Sequence, residues 1–150
     1  MMMNNNIAYW NVRGGHLASK QAEVKHLIKD QKLQLIAISE TKLNKVQSEL
    51  ACKYIAHDWE HEDNLQSDPY GRLLVLWNSK VLNLTKLNED DQFIHFSTSL
   101  TSSNCPFLIT FVYAQNNLDK RLFFLSNHFS LSHTNLPWIV LGDFNCMFSS

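Results

Sequence analysis

The sequence predicts an α/β fold with helices outside one mixed sheet or several sheets. A strand-like run, an amphipathic helical stretch and a second strand-like run follow one another early in the chain, the order of a parallel pair joined by a helical crossover. The middle of the chain is rich in β-branched and aromatic runs, and a leucine pattern at helical spacing precedes one last apolar run. Such a pattern places functional residues at strand ends or in the loops that follow them.

Taken in order, Ile-Ala-Tyr-Trp-Asn-Val at residues 7–12 is β-rich and is closed by Gly14 and Gly15, which predicts a first strand. Ser19 is a plausible N-cap for a helix with Val24, Leu27 and Ile28 on one side and Lys20, Lys25 and Lys29 on the other. Leu33–Ser39 is a short apolar run of strand length, with Glu40 at its carboxyl end. Residues 54–70, rich in Asp and Glu, read as an irregular surface stretch. Leu73–Trp77 is continuously apolar, as in a strand covered on both faces, and residues 92–100 and 107–113 read as further strands. Leu118, Leu122, Leu125 and Phe129 predict a helix over residues 119–130. Pro137 then opens a last strand over residues 138–141.

One domain is the expectation for 150 residues, spanning residues 7–150, with the Met- and Asn-rich residues 1–6 disordered. A hydrophobic content of 45% is ample for a core, and 18% charged residues is low. The net charge of −1 hides an asymmetry. Residues 1–53 carry eight Lys or Arg against four Asp or Glu, while the remainder carries five against ten. The basic half suits a polyanion such as nucleic acid, although a solvated helix face is the simpler account of those lysines. Three cysteines without a Cys-x-x-Cys pair suggest neither a disulfide framework nor a zinc knuckle and fit a reducing, intracellular setting. No stretch has the pattern of a signal peptide or the length of a membrane span.

Four segments carry chemistry: Trp10-Asn11-Val12-Arg13-Gly14, Ser39-Glu40-Thr41-Lys42, Val112-Tyr113-Ala114-Gln115-Asn116 and Gly142-Asp143-Phe144-Asn145. Each follows an expected strand. In this order they resemble the endonuclease/exonuclease/phosphatase superfamily, also called DNase I-like, and within it the endonuclease domain of LINE-type non-LTR retrotransposons. Repair endonucleases for abasic sites share a Glu-Thr-Lys segment but carry an acidic residue where this chain has Arg13, whereas retroelement endonucleases typically have Arg-Gly there.

The resemblance implies a two-sheet β-sandwich flanked by helices, incomplete at its C-terminus. It implies Mg²⁺, with Mn²⁺ as an alternative, held by Glu40 with the help of Asn11. A hard cation takes carboxylate oxygens, and a neutral amide adds a partner without charge. It assigns Asp143 to orienting or deprotonating the attacking water, Asn145 to a phosphate oxygen that gains negative charge, and Tyr113 to the neighbourhood of the scissile phosphate. It assigns Asn116 and Arg13 to the nucleic acid. Each also has a plainer reading: a solvated Glu, a turn-forming Asn, an Asx turn after the last strand, or a core Tyr with its hydroxyl at the surface.

The implied activity is DNA nicking by water attack on a phosphodiester, with a reverse transcriptase domain as partner in a complete element and the nucleus as the place of action. The family's closing Asp-His pair is missing, because no Asp here is followed by His. Weak activity or none is therefore expected of this chain alone. The alternatives are a dead remnant that at most binds nucleic acid, or a phosphatase of the same superfamily. A separate zinc reading attaches to His57 and His61, spaced i, i+4, in a segment that otherwise looks like a polar loop.

Overall fold

The computed structural model describes residues 6–12, 17–67, 73–113 and 135–143. The element order is β1 (Asn6–Asn11), α1 (Leu17–Asp30), β2 (Leu33–Ser39), α2 (Lys45–Ala56), β3 (Glu60–Asp63), β4 (Leu73–Trp77), β5 (Leu82–Glu89), β6 (Phe93–Leu100), β7 (Phe107–Tyr113) and β8 (Trp138–Asp143). They form two four-stranded sheets, ordered β1-β2-β4-β3 and β5-β6-β7-β8. The helix expected over residues 119–130 lies outside the described residues.

The first sheet starts from the expected crossover, with β1 parallel to β2 and Asn11 level with Ser39. Helix α1 makes the connection. It begins at Leu17, two residues before the expected cap at Ser19. β4 then runs antiparallel to β2. Because β4 lies between two strands and has both faces covered, all five of its side chains are buried, which explains its unbroken apolar sequence.

Alternation along the strands divides the core into two layers. Ile36, Ile38, Leu74 and Leu76 face the helices and pack with Val24, Ala51, Cys52 and Ile55. The intervening Leu35, Ala37, Leu73, Val75 and Trp77 face the second sheet and meet Leu82, Ile94, Phe96, Ile109 and Phe111. Edge-on aromatic contacts knit the inter-sheet layer, with ring centroids 6.0 Å apart both for Trp77 and Phe96 and for Phe96 and Phe111. This is the sandwich flanked by helices that the sequence predicts.

Within the stretch expected to be irregular, residues 54–67 are more regular than expected. They contain the last turn of α2 and all of β3, whose Glu-His-Glu-Asp sequence is strand only because it pairs with β4, Glu60 opposite Trp77 and Asp63 opposite Leu74. Helix α2 starts on a reciprocal cap. The Gln47 backbone N–H donates to the Asn44 side chain at 2.9 Å and the Asn44 N–H donates to Gln47 Oε1 at 3.0 Å.

Candidate active site

The four parallel-paired strands β1, β2, β7 and β8 all deliver their carboxyl ends to one rim of the sandwich. In each, the face that is apolar between the sheets becomes polar at the end. Ile7 and Tyr9 lead to Asn11, Leu35 and Ala37 to Ser39, Ile109 and Phe111 to Tyr113, and Leu141 to Asp143. Parallel register keeps the ends level within each sheet: Asn11 with Ser39, and Tyr113 with Asp143.

Side-chain hydrogen bonds cross from sheet to sheet at this rim. Asn11 Nδ2 donates to Asp143 Oδ2 at 3.2 Å, and the Tyr113 hydroxyl donates to Glu40 Oε1 at 2.5 Å. These two contacts bring together Asn11, Glu40, Tyr113 and Asp143, which lie up to 132 residues apart in sequence. Arg13, Asn116 and Asn145 lie outside the described residues. The backbone around Glu40 is unusual. It enters the left-handed region at Glu40 (φ 59°) and again at Lys42 (φ 55°), on either side of buried Thr41. A non-glycine residue in that region costs on the order of 1–3 kcal/mol, and such strain collects at functional sites.

Asn11 uses its amide nitrogen on Asp143, while its Oδ1 is buried without a protein partner. A buried acceptor without a donor is costly, and a cation is one way to satisfy it. Oδ1, at the rim that also carries the Glu40 carboxylate, suits a hard, oxygen-seeking ion that keeps most of its waters. Among the described residues no three or more His, Cys, Asp or Glu side chains are grouped to hold a metal ion. His57 and His61 line a cavity of about 230 Å³ with Cys52 and Trp59. Burial there, with Asp63 adding to it, pushes the Cys52 thiol up to about 12, so it stays protonated.

Two further residues shape the rim and were given no role of their own from the sequence. Tyr9, partly buried between the sheets, donates its hydroxyl to the Val112 carbonyl at 2.8 Å. Its phenol is held well above its ordinary range, chiefly by burial. Gly142 has φ +154°, and a Cβ there would stand 2.1 Å from the Val112 carbonyl oxygen. The signal available for Tyr9 was its shared strand face with Asn11.

The sequence profile of the Endonuclease/Exonuclease/phosphatase family matches residues 8–150. The chain belongs to this family. A search of curated protein sequences gives no match. Among solved structures, the chain is similar to D. rerio TDP2 complexed with a single-strand DNA product, with a TM-score of 0.72 at 11% identity, covering 95% of this chain and 61% of that one. It is similar to a mannosyl-6-phosphatase from Bacteroides thetaiotaomicron, with a TM-score of 0.70 at 12% identity, covering 93% and 64%. It is also similar to the endonuclease domain of TRAS1, a telomere-specific non-LTR retrotransposon, with a TM-score of 0.66 at 10% identity, covering 93% and 59%. At such identities the likeness establishes the fold, the DNase I-like α/β sandwich. The chain spans less than two thirds of the length of each of these three structures.

Proposed function

We propose that the rim is the phosphate-handling site of a divalent-metal-dependent phosphodiester hydrolase acting on DNA, of the retroelement endonuclease type. The observation that carries this reading is the meeting of Asn11, Glu40, Tyr113 and Asp143 from four segments through cross-sheet hydrogen bonds. Glu40 and Asn11 Oδ1 would hold Mg²⁺, or Mn²⁺ in its place. The ion, when bound, neutralises charge on the phosphate oxygens. The Asn11 amide fixes one oxygen of Asp143, which orients that carboxylate to direct water and accept its proton. The Tyr113 hydroxyl is a donor at the same place, able to face an oxygen that gains negative charge. Asn145, two residues beyond Asp143, would add a second donor, and Arg13 and Asn116 would hold the DNA backbone.

The segments at residues 10–14 and 113–116 favour DNA over a phosphorylated lipid or inositol. In a full element the nick's 3′ hydroxyl would prime a reverse transcriptase in the nucleus. The absence of any Asp-His pair from the sequence predicts weak nicking, since loss of one preorganised donor costs about 10²- to 10³-fold in rate. The test is nicking of supercoiled plasmid with Mg²⁺ by the unaltered chain and by Glu40→Ala and Asp143→Ala. Slow, Mg²⁺-dependent nicking lost in both variants supports the reading. Nicking that persists in both contradicts it, and DNA binding without any nicking favours a remnant that only binds nucleic acid.

A further inference from the structure

Tyr9 has a role that neither its strand nor its packing requires. Its neighbours along the inner face of β1 are Ile7 and Asn11, so an aliphatic residue would continue the inter-sheet core as well. Instead a hydroxyl reaches across to the Val112 carbonyl, 103 residues away in sequence. That carbonyl occupies a sensitive place. Val112 precedes Tyr113 in β7 and pairs with Gly142, which precedes Asp143 in β8. Gly142 lacks the Cβ that would strike the same oxygen. One acceptor is thus approached by β1 from the opposite sheet and by β8 from its own, one residue short of both Tyr113 and Asp143.

We propose that Tyr9 is a positioning residue whose hydroxyl sets the gap between the two sheets at the rim and thereby holds the Asn11 amide on the Asp143 carboxylate. A strand is stiff over two residues, so fixing Tyr9 against Val112 fixes Asn11 against the strand beside Val112. The 3.2 Å bond from Asn11 to Asp143 is long enough that a small widening would break it. The consequence for a metal rests on the function proposed above: with Asn11 released, its Oδ1 no longer stays where a cation would use it. The hydrogen-bond claim does not depend on that function.

The experiment follows the Asn11 side-chain amide by ¹⁵N–¹H NMR in the unaltered chain, in Tyr9→Phe and in Ile7→Val, a packing control on the same strand face. One Asn11 amide proton should show the downfield shift and slow exchange of a hydrogen-bonded group in the unaltered chain and in Ile7→Val, and lose both in Tyr9→Phe. An unchanged signal in Tyr9→Phe, or an equal loss in Ile7→Val, overturns the inference. Should Tyr9→Phe fail to fold, 4-aminophenylalanine at position 9, which keeps a donor, must restore both fold and signal. A folded chain without the signal overturns it. Mn²⁺ uptake, followed by water-proton relaxation, should weaken about 10-fold in Tyr9→Phe, the lower range for loss of a group that orients a metal ligand. If the unaltered chain takes up no Mn²⁺, the proposed function loses its metal while the amide signal still decides the role of Tyr9.

Discussion

Gly142 leaves no room for a side chain, because the position a Cβ would take is 2.1 Å from Val112 O and φ is +154°. Gly142→Ala should therefore destabilise the fold by about 3 kcal/mol or more, read as a lowered thermal midpoint, since both backbone strain and an unrelievable clash act together. A mild effect would mean that β8 can shift away from β7. Asp90 makes a second residue-scale prediction. Its Oδ1 accepts the backbone N–H groups of Gln92 at 2.7 Å and Phe93 at 3.0 Å, in the turn whose Gln92 carbonyl takes the Tyr113 N–H. Burial raises its carboxyl to about 6, with the neighbouring charges of Asp91 and Glu89 adding and the backbone bonds opposing. The folded state therefore holds the proton more tightly than the unfolded chain. That contribution to stability is present below the ordinary carboxyl range and is lost as pH rises through about 6. Asp90→Asn keeps the acceptor and removes the charge, so it should flatten this part of the pH–stability curve. At pH 8 it should stabilise the chain by about 1 kcal/mol, allowing for solvent screening of a partly exposed group. Equal pH dependence in urea titrations of both proteins would contradict the assignment.

Helix α2 shows why some elements were legible in the sequence and others were not. β2, β4 and β7 are apolar runs bounded by polar residues, and their limits were read correctly as Leu33–Ser39, Leu73–Trp77 and Phe107–Tyr113. α2 was missed because apolar residues lie on both its sides, with Ala51, Cys52 and Ile55 buried while Val46, Leu50 and Tyr54 are exposed. Its capping pair, Asn44 and Gln47, was the signal that could have revealed it. β3 carried no such signal. Its charges are held by pairing and by ion pairs, Lys45 with Asp63 at 3.1 Å and Lys86 with Glu62 at 3.1 Å. β5 alternates only until a shift in register between Lys86 and Asn88, where Leu87 is 54% exposed. The two sides of α2 give a direct comparison: Ile55→Ala should cost about 2–5 kcal/mol by opening a cavity under the sheet, and Leu50→Gln no more than about 0.5 kcal/mol. Similar costs in chemical denaturation would mean that Leu50 contributes to packing despite its exposure.

At the scale of the whole molecule, the site exists because two sheets end together. Strand order within each sheet was partly legible from local pattern, since a strand, helix, strand sequence implies a parallel pair. The meeting of β1 with β8 was not, because nothing local in either strand specifies a partner in the other sheet. The resemblance named Asn11, Glu40, Tyr113 and Asp143 as members of one site. The pairing of the Asn11 amide with Asp143 and of the Tyr113 hydroxyl with Glu40 emerges only from the packed sandwich. The same packing leaves Asn11 Oδ1 buried and unpartnered at the rim that also carries the Glu40 carboxylate, and on that atom the metal assignment turns. Binding of Mn²⁺ to the intact chain, measured by electron paramagnetic resonance with Mg²⁺ as competitor, tests it most directly. The account predicts one site that Mg²⁺ displaces and that weakens at least about 10-fold in both Glu40→Gln and Asn11→Leu. No saturable binding, or binding that is the same in those two variants, would contradict it.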